Sequence, residues 1–144
     1  MGFTTIRHIT LQVSIRDATE NDVNRLATLA GTSIEGARSM LHGRTIRVYV
    51  DGDDIHGLVG FDVTEDAVRI GRLAGDPACF DALVDEPVRF AMQEGLPVEM
   101  VVLEDDQGVR QALREAEFEA IDTGPDFQGE SSVRFRRPKT EHEC

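Results

Sequence analysis

The 144 residues carry 27 acidic and 15 basic side chains, for a formal net charge of -12, with 40% hydrophobic content. A chain of that size makes one domain whose core needs no metal or disulfide, and its apolar share is too high for a disordered polymer. The acidity excludes the basic face of a nucleic-acid binder, and no apolar run approaches the ~20 residues of a membrane span.

In chain order, Thr5 to Arg16 reads as extended and ends in Val13-Ser14-Ile15-Arg16. Thr19, with Asp22 three residues on, predicts a helix cap. The helix it opens places Val23, Leu26, Ala27 and Ala30 on one face, and Ser33 caps a second with Ile34, Ala37, Met40 and Leu41 at helical spacing. The period then drops to two. Ile46, Val48 and Val50 alternate with Thr45, Arg47 and Tyr49, and Asp51-Gly52-Asp53-Asp54 signals a hairpin turn. Ile55 to Val63 and Val68 to Leu73 complete three consecutive antiparallel strands.

Gly75-Asp76-Pro77 places a capping Asp before a Pro at the first helical position. Helical spacing runs from Ala78 to Glu94, with a kink or a break expected at Pro87. Val98 to Leu103 is a dense apolar strand of the doubly buried kind. Asp106 caps a helix striped by Val109, Ala112, Leu113 and Ala116. Glu119 to Thr123, a polar loop and a last strand around Ser132 to Phe135 follow. The order β-α-α-β-β-β-α-β-α-β-β predicts an α/β (α+β) domain, a mixed sheet with helices on both faces, over residues 1–137. Residues 138–144 are expected to be a flexible tail. Met1 to Thr10 lack the charged flank and apolar stretch of a signal peptide, so a cytoplasmic location is expected.

Lys139 is the only lysine among the 15 basic residues. At low salt so acidic a chain repels itself, whereas in molar salt the Debye length falls to about 3 Å and the carboxylates become a hydrated skin. A halophilic cytoplasmic protein is the expectation; an acidic surface aimed at a basic partner is the rival. The acids are scattered along the chain rather than massed, which favours the first. Cys79 and Cys144 lie far apart without metal-site spacing, and no metal is expected. His142, between Glu141 and Glu143, is a weak ligand at most.

Three passages, together with the element order, carry a resemblance. They are Ile15-Arg16-Asp17-Ala18-Thr19-Glu20-Asn21-Asp22, Gly57-Leu58-Val59-Gly60-Phe61-Asp62 and Leu113-Arg114-Glu115-Ala116-Glu117-Phe118. From about Val13 to Arg137 the chain resembles the GNAT superfamily, the acyl-CoA-dependent N-acyltransferases. The resemblance implies a mostly antiparallel sheet of about six to seven strands, acetyl-CoA or a related acyl-CoA as cofactor, and a small-molecule or protein amine as acceptor. It also leaves room for a homodimer.

Carried over residue by residue, it places the pantetheine arm along the fourth strand at Leu73 and Gly75. The diphosphate falls at Asp76-Pro77-Ala78-Cys79-Phe80, with Ala78, Cys79 and Arg110 as contacts. The family's glycine-rich run exposes backbone N–H groups to the anion at a helix start. Here Asp76 puts a negative charge where an arginine would help, Pro77 removes a donor N–H, and Phe80 fills space that a glycine would leave open. The family's tyrosine, its general acid, aligns with Leu113, which donates nothing, and the asparagine of the last helix aligns with Asp106. Glu104, at the end of the fifth strand, and Asp62, on the third, are the candidate general bases. A thiolate at Cys79 is disfavoured by its acidic neighbours. Arg134 and Arg136 share a strand face that suits an anion or acidic neighbours, and Arg110 and Arg114 lie one turn apart. Two functions follow: an acyltransferase of small or protein amines, or a silent GNAT-like domain that binds a protein or small ligand.

Overall fold

The computed structural model describes residues 13–124 and 129–139. The expectations for Thr5 to Gln12, Met1 to Thr10 and the tail beyond Lys139, including His142 and Cys144, lie outside the described residues. Seven strands form one sheet in the order β1-β2-β3-β4-β5-β7-β6. They are β1 (Val13–Asp17), β2 (Thr45–Asp51), β3 (Asp54–Val63), β4 (Val68–Gly75), β5 (Val98–Leu103), β6 (Glu119–Thr123) and β7 (Ser132–Arg137). All neighbours are antiparallel except β4 and β5.

Four helices cover the sheet: α1 (Val23–Ala30), α2 (Ile34–Gly43), α3 (Phe80–Glu94) and α4 (Gln107–Glu115). The alternation of β2 sends Ile46, Val48 and Val50 into one core with Leu26, Ala27 and Ala37 of α1 and α2. Strands β3 to β5 send Val59, Phe61, Ile70, Leu73, Met100 and Val102 into a second core under α3 and α4. Helices on both faces follow from these two apolar sets.

The caps stand where the sequence puts them. Ser33 Oγ accepts the Gly36 N–H at 3.0 Å, and Asp106 Oδ1 accepts that of Val109 at 3.4 Å. The turn at Asp51–Asp54 closes on Gly52 at φ 65°. The break expected at Pro87 does not occur: α3 is one helix from Phe80 to Glu94 with Pro87 inside it. The ring is buried in the protein interior, so packing offsets the one backbone hydrogen bond it removes.

Candidate functional site

The one parallel junction of the sheet creates its cleft. Strands β4 and β5 pair only over Val68↔Val98, Arg69↔Glu99 and Ile70↔Met100, and then part. At the parting point β4 carries a bulge. Gly60 and Phe61 of β3 pair with Arg72 and Ile70, so Gly71 has no Cα partner on β3 or on β5. Extra residues of this kind re-aim a strand and leave its backbone out of the ladder.

A cavity of about 290 Å³ opens here, lined by Arg69, Ile70, Gly71, Glu99, Met100, Val101 and Arg134. Strand alternation decides the lining. Ile70, Met100 and Val102 turn to α3, so Arg69, Glu99, Val101, Arg134 and Arg136 turn to the opposite face. Glu99 stands between two guanidinium groups, Arg69 at 3.7 Å and Arg136 at 3.6 Å, and is 16% exposed. Arg134 reaches Asp122 on β6 at 3.2 Å.

Asp62 and Glu104 do not share this site. Asp62 is half-buried on β3 and pairs in register with Arg69, at the start of β4. Glu104 is exposed beyond the end of β5, where its N–H donates to the Ser131 carbonyl at 3.0 Å. Five residues separate Glu104 from Glu99, the partner of Arg69, which is ~16 Å of strand. One acceptor atom cannot meet both carboxylates. Tyr49 packs against the α3 core on the far side of the sheet, and Leu113 is fully buried.

The residues expected at the diphosphate are occupied with one another. The Asp76 N–H donates to the His56 carbonyl at 2.9 Å and that of Cys79 to the Asp76 carbonyl at 3.0 Å. The Ala78 N–H donates to Asp76 Oδ1 at 3.0 Å, the Phe80 N–H donates to the Pro77 carbonyl, and Pro77 has no N–H to offer. A single 3-10 turn, Pro77–Cys79, joins β4 to α3. The hollow of about 330 Å³ beside it is lined by Pro77, Ala78, Asp81, Gly108, Gln111, Ala112 and Glu115, with two carboxylates and no cation.

Arg110 and Arg114 do not supply the missing charge. Arg110 Nη1 donates to the Glu104 carbonyl and its Nε is buried without a partner among the described residues. Arg114 lies 6.0 Å from the centroid of the Phe135 ring. Leu73 faces the core, and Gly75 adopts φ 116° against His56 and Gly57. Burial and the nearby Asp76 push the Cys79 thiol up to about 11, so it is an inert packing group at neutral pH. These residues do not fit the diphosphate of coenzyme A.

Glu99 and Gly71 are the site features that the periodicity of the strands passes over. Glu99 is the one charge inside an apolar strand, and a glycine within a strand signals a bulge, so both carried a mark. Among the described residues no group of His, Cys, Asp and Glu could hold a metal ion, and no described helix is long and apolar enough to cross a membrane.

No family model matches the sequence, and no curated protein matches it either. Solved structures do. Ard1 from Thermoplasma volcanium superposes with a TM-score of 0.77 at 16% identity, over 90% of this chain and 99% of that one. The ribosomal-protein-S18-alanine N-acetyltransferase of Escherichia coli gives 0.74 at 13% identity, over 91% and 96%. An N-acetyltransferase from Staphylococcus aureus Mu50 gives 0.73 at 10% identity, over 88% and 97%. At these identities the likeness is one of architecture, and its conclusion is that this chain has the GNAT N-acetyltransferase fold.

Proposed function

We propose that the domain is a GNAT-fold binding module that takes its ligand in the β4–β5 cleft and does not transfer acyl groups from coenzyme A. One observation carries the reading: every N–H from Asp76 to Phe80 is already bonded, that of Asp76 to the His56 carbonyl on β3 and the others within the turn. An anion at that position would meet Asp81 and Glu115 with no compensating cation, and the one amide there, Gln111, already donates to Glu115. Diphosphate binding at a helix start needs free N–H groups and a favourable field, and both are missing.

The test is a thermal melt in molar KCl with and without saturating acetyl-CoA. A ligand at ~100 times its Kd adds about 2.7 kcal/mol, a rise of roughly 5–15 °C for a domain of this size. The expected result is no rise. A clear rise would overturn the proposal.

A second reading, acyl transfer to a small or protein amine, draws support from the parted strands and the unpaired Gly71 beside a half-buried acid. It requires thiol release from acetyl-CoA in the presence of amines, slowed by Asp62→Asn or Glu104→Gln. The binding module gives no thiol with any amine.

A further inference from the structure

Arg44, between α2 and β2, lies along the sheet rather than out in solvent. A methyl group built on Gly71 would sit 1.9 Å from its Nη1 and 2.9 Å from its Cζ, and one built on Gly60 would sit 3.1 Å from its Cδ. Two glycines on neighbouring strands therefore make a trough in which this side chain rests. Gly71 also lines the cleft cavity, and the Arg44 guanidinium lies against Gly71 just outside that lining.

Its bonding separates it from the other arginines of that face. Arg69 and Arg136 face Glu99, and Arg134 has Asp122. Arg72 Nη1 donates to the Ala30 carbonyl at 3.4 Å. Arg44 is half-buried, and no carboxylate or carbonyl among the described residues pairs with it. Arg72 and Arg110 also lack a partner acid but reach backbone carbonyls, whereas Arg44, in a chain of net charge -12, has neither among the described residues. A partly desolvated guanidinium left unpaired is costly, and its planar fork matches the paired oxygens of a carboxylate or a phosphate.

We infer that the β4–β5 cleft receives a small molecule bearing a carboxylate or phosphate head, and that Arg44, seated on Gly60 and Gly71, clasps that head. The inference rests on the cleft being the ligand site and names the class of ligand. Arg69 and Arg134 outnumber Glu99 among the charges that line the cavity, and Val101 gives it an apolar wall. A cavity of about 290 Å³ lies at the lower end of ordinary small-molecule sites.

The experiment titrates the full chain with succinate and, separately, with inorganic phosphate, at constant KCl, and reads binding by calorimetry. Saturable binding of succinate identifies a carboxylate head, and of phosphate a phosphate head; either supports the inference. Arg44→Gln should weaken that binding by about tenfold or more, and Arg44→Lys, which keeps the charge but not the fork, should weaken it comparably. Gly71→Ala keeps every charge and displaces the guanidinium, so it should weaken binding too. Arg89→Gln, on α3, where Arg89 pairs with Asp85 and Glu86, should change it less than twofold. Absence of binding by both anions overturns the inference, as does an Arg44→Gln loss no larger than that of Arg89→Gln. Binding of acetyl-CoA in the melt would defeat the proposed function and leave this titration to be judged alone. A flat titration would leave the acetyl-CoA result standing.

Discussion

Asp22 is buried at the entrance to α1 and still carries charge, because four donors converge on it. Arg16 Nη1 and Nη2 donate to its oxygens at 2.8 and 3.1 Å, and the Thr19 N–H and hydroxyl donate at 2.8 and 3.3 Å. The Arg16 hydrogen bonds, and then the Thr19 N–H, hold its carboxyl below the usual carboxylate range against the opposing effect of burial. The folded value is thus lower than the unfolded value near ~3.9. This stabilisation is complete above that pH and is lost as pH falls through the folded value. Asp22→Asn should cost about 1–2 kcal/mol at pH 7, with the difference from wild type closing below about pH 4. Urea denaturation at pH 7 and pH 3 measures both. The Thr19–Asp22 spacing was readable in the sequence as a cap; the Arg16 clasp was not, since it depends on how β1 turns into the helix.

Among the elements, strands and helices were legible because each has one dominant period and a chemically marked end. Thr45–Asp51 alternates, α4 is striped, and Asp106 and Gly95 mark boundaries. The β4 bulge was not legible, because it is set by which residues of β3 lie opposite, a fact of pairing rather than of periodicity. Nor was the separation of Asp62 from Glu104, which depends on strand direction. Pro87 misled for a related reason: local preference argued for a break, and the apolar seat under α3 outweighed it. The end of β4 is the element under most conformational demand. Gly75 holds φ 116°, and a Cβ there would stand 2.4 Å from the His56 carbonyl oxygen and 2.5 Å from the Gly57 Cα. Gly75→Ala should therefore lower stability by about 3 kcal/mol. A thermal melt would show a large drop in Tm; an unchanged Tm would mean that the strand end can shift to admit the methyl.

Over the whole molecule, charge is sorted rather than uniform. Arg44, Arg69, Arg72, Arg134 and Arg136 gather on one side of the sheet, while the net charge remains -12. Exposed ion pairs such as Arg38–Glu20 and Arg89–Asp85 contribute little singly, so long-range repulsion among unpaired acids sets the response to salt. Screening it should raise the Tm steadily between about 0.1 M and about 2 M KCl as the Debye length shrinks from about 10 Å toward 3 Å and below. A Tm that is flat over that range would remove the case for a salt-adapted surface.

The short link from β4 to α3 bears on whether point changes could make a phosphate cradle at this position. Asp76 is both an acceptor for Ala78 and the carbonyl partner of Cys79, and Cys79 itself fills the space above Gly57. Exchanging one side chain for glycine or arginine would leave the backbone where it is, with its N–H groups still turned inward. A phosphate cradle could form here only with a longer link, so an insertion between β4 and α3, rather than a point change, is the route to an anion site at this helix start.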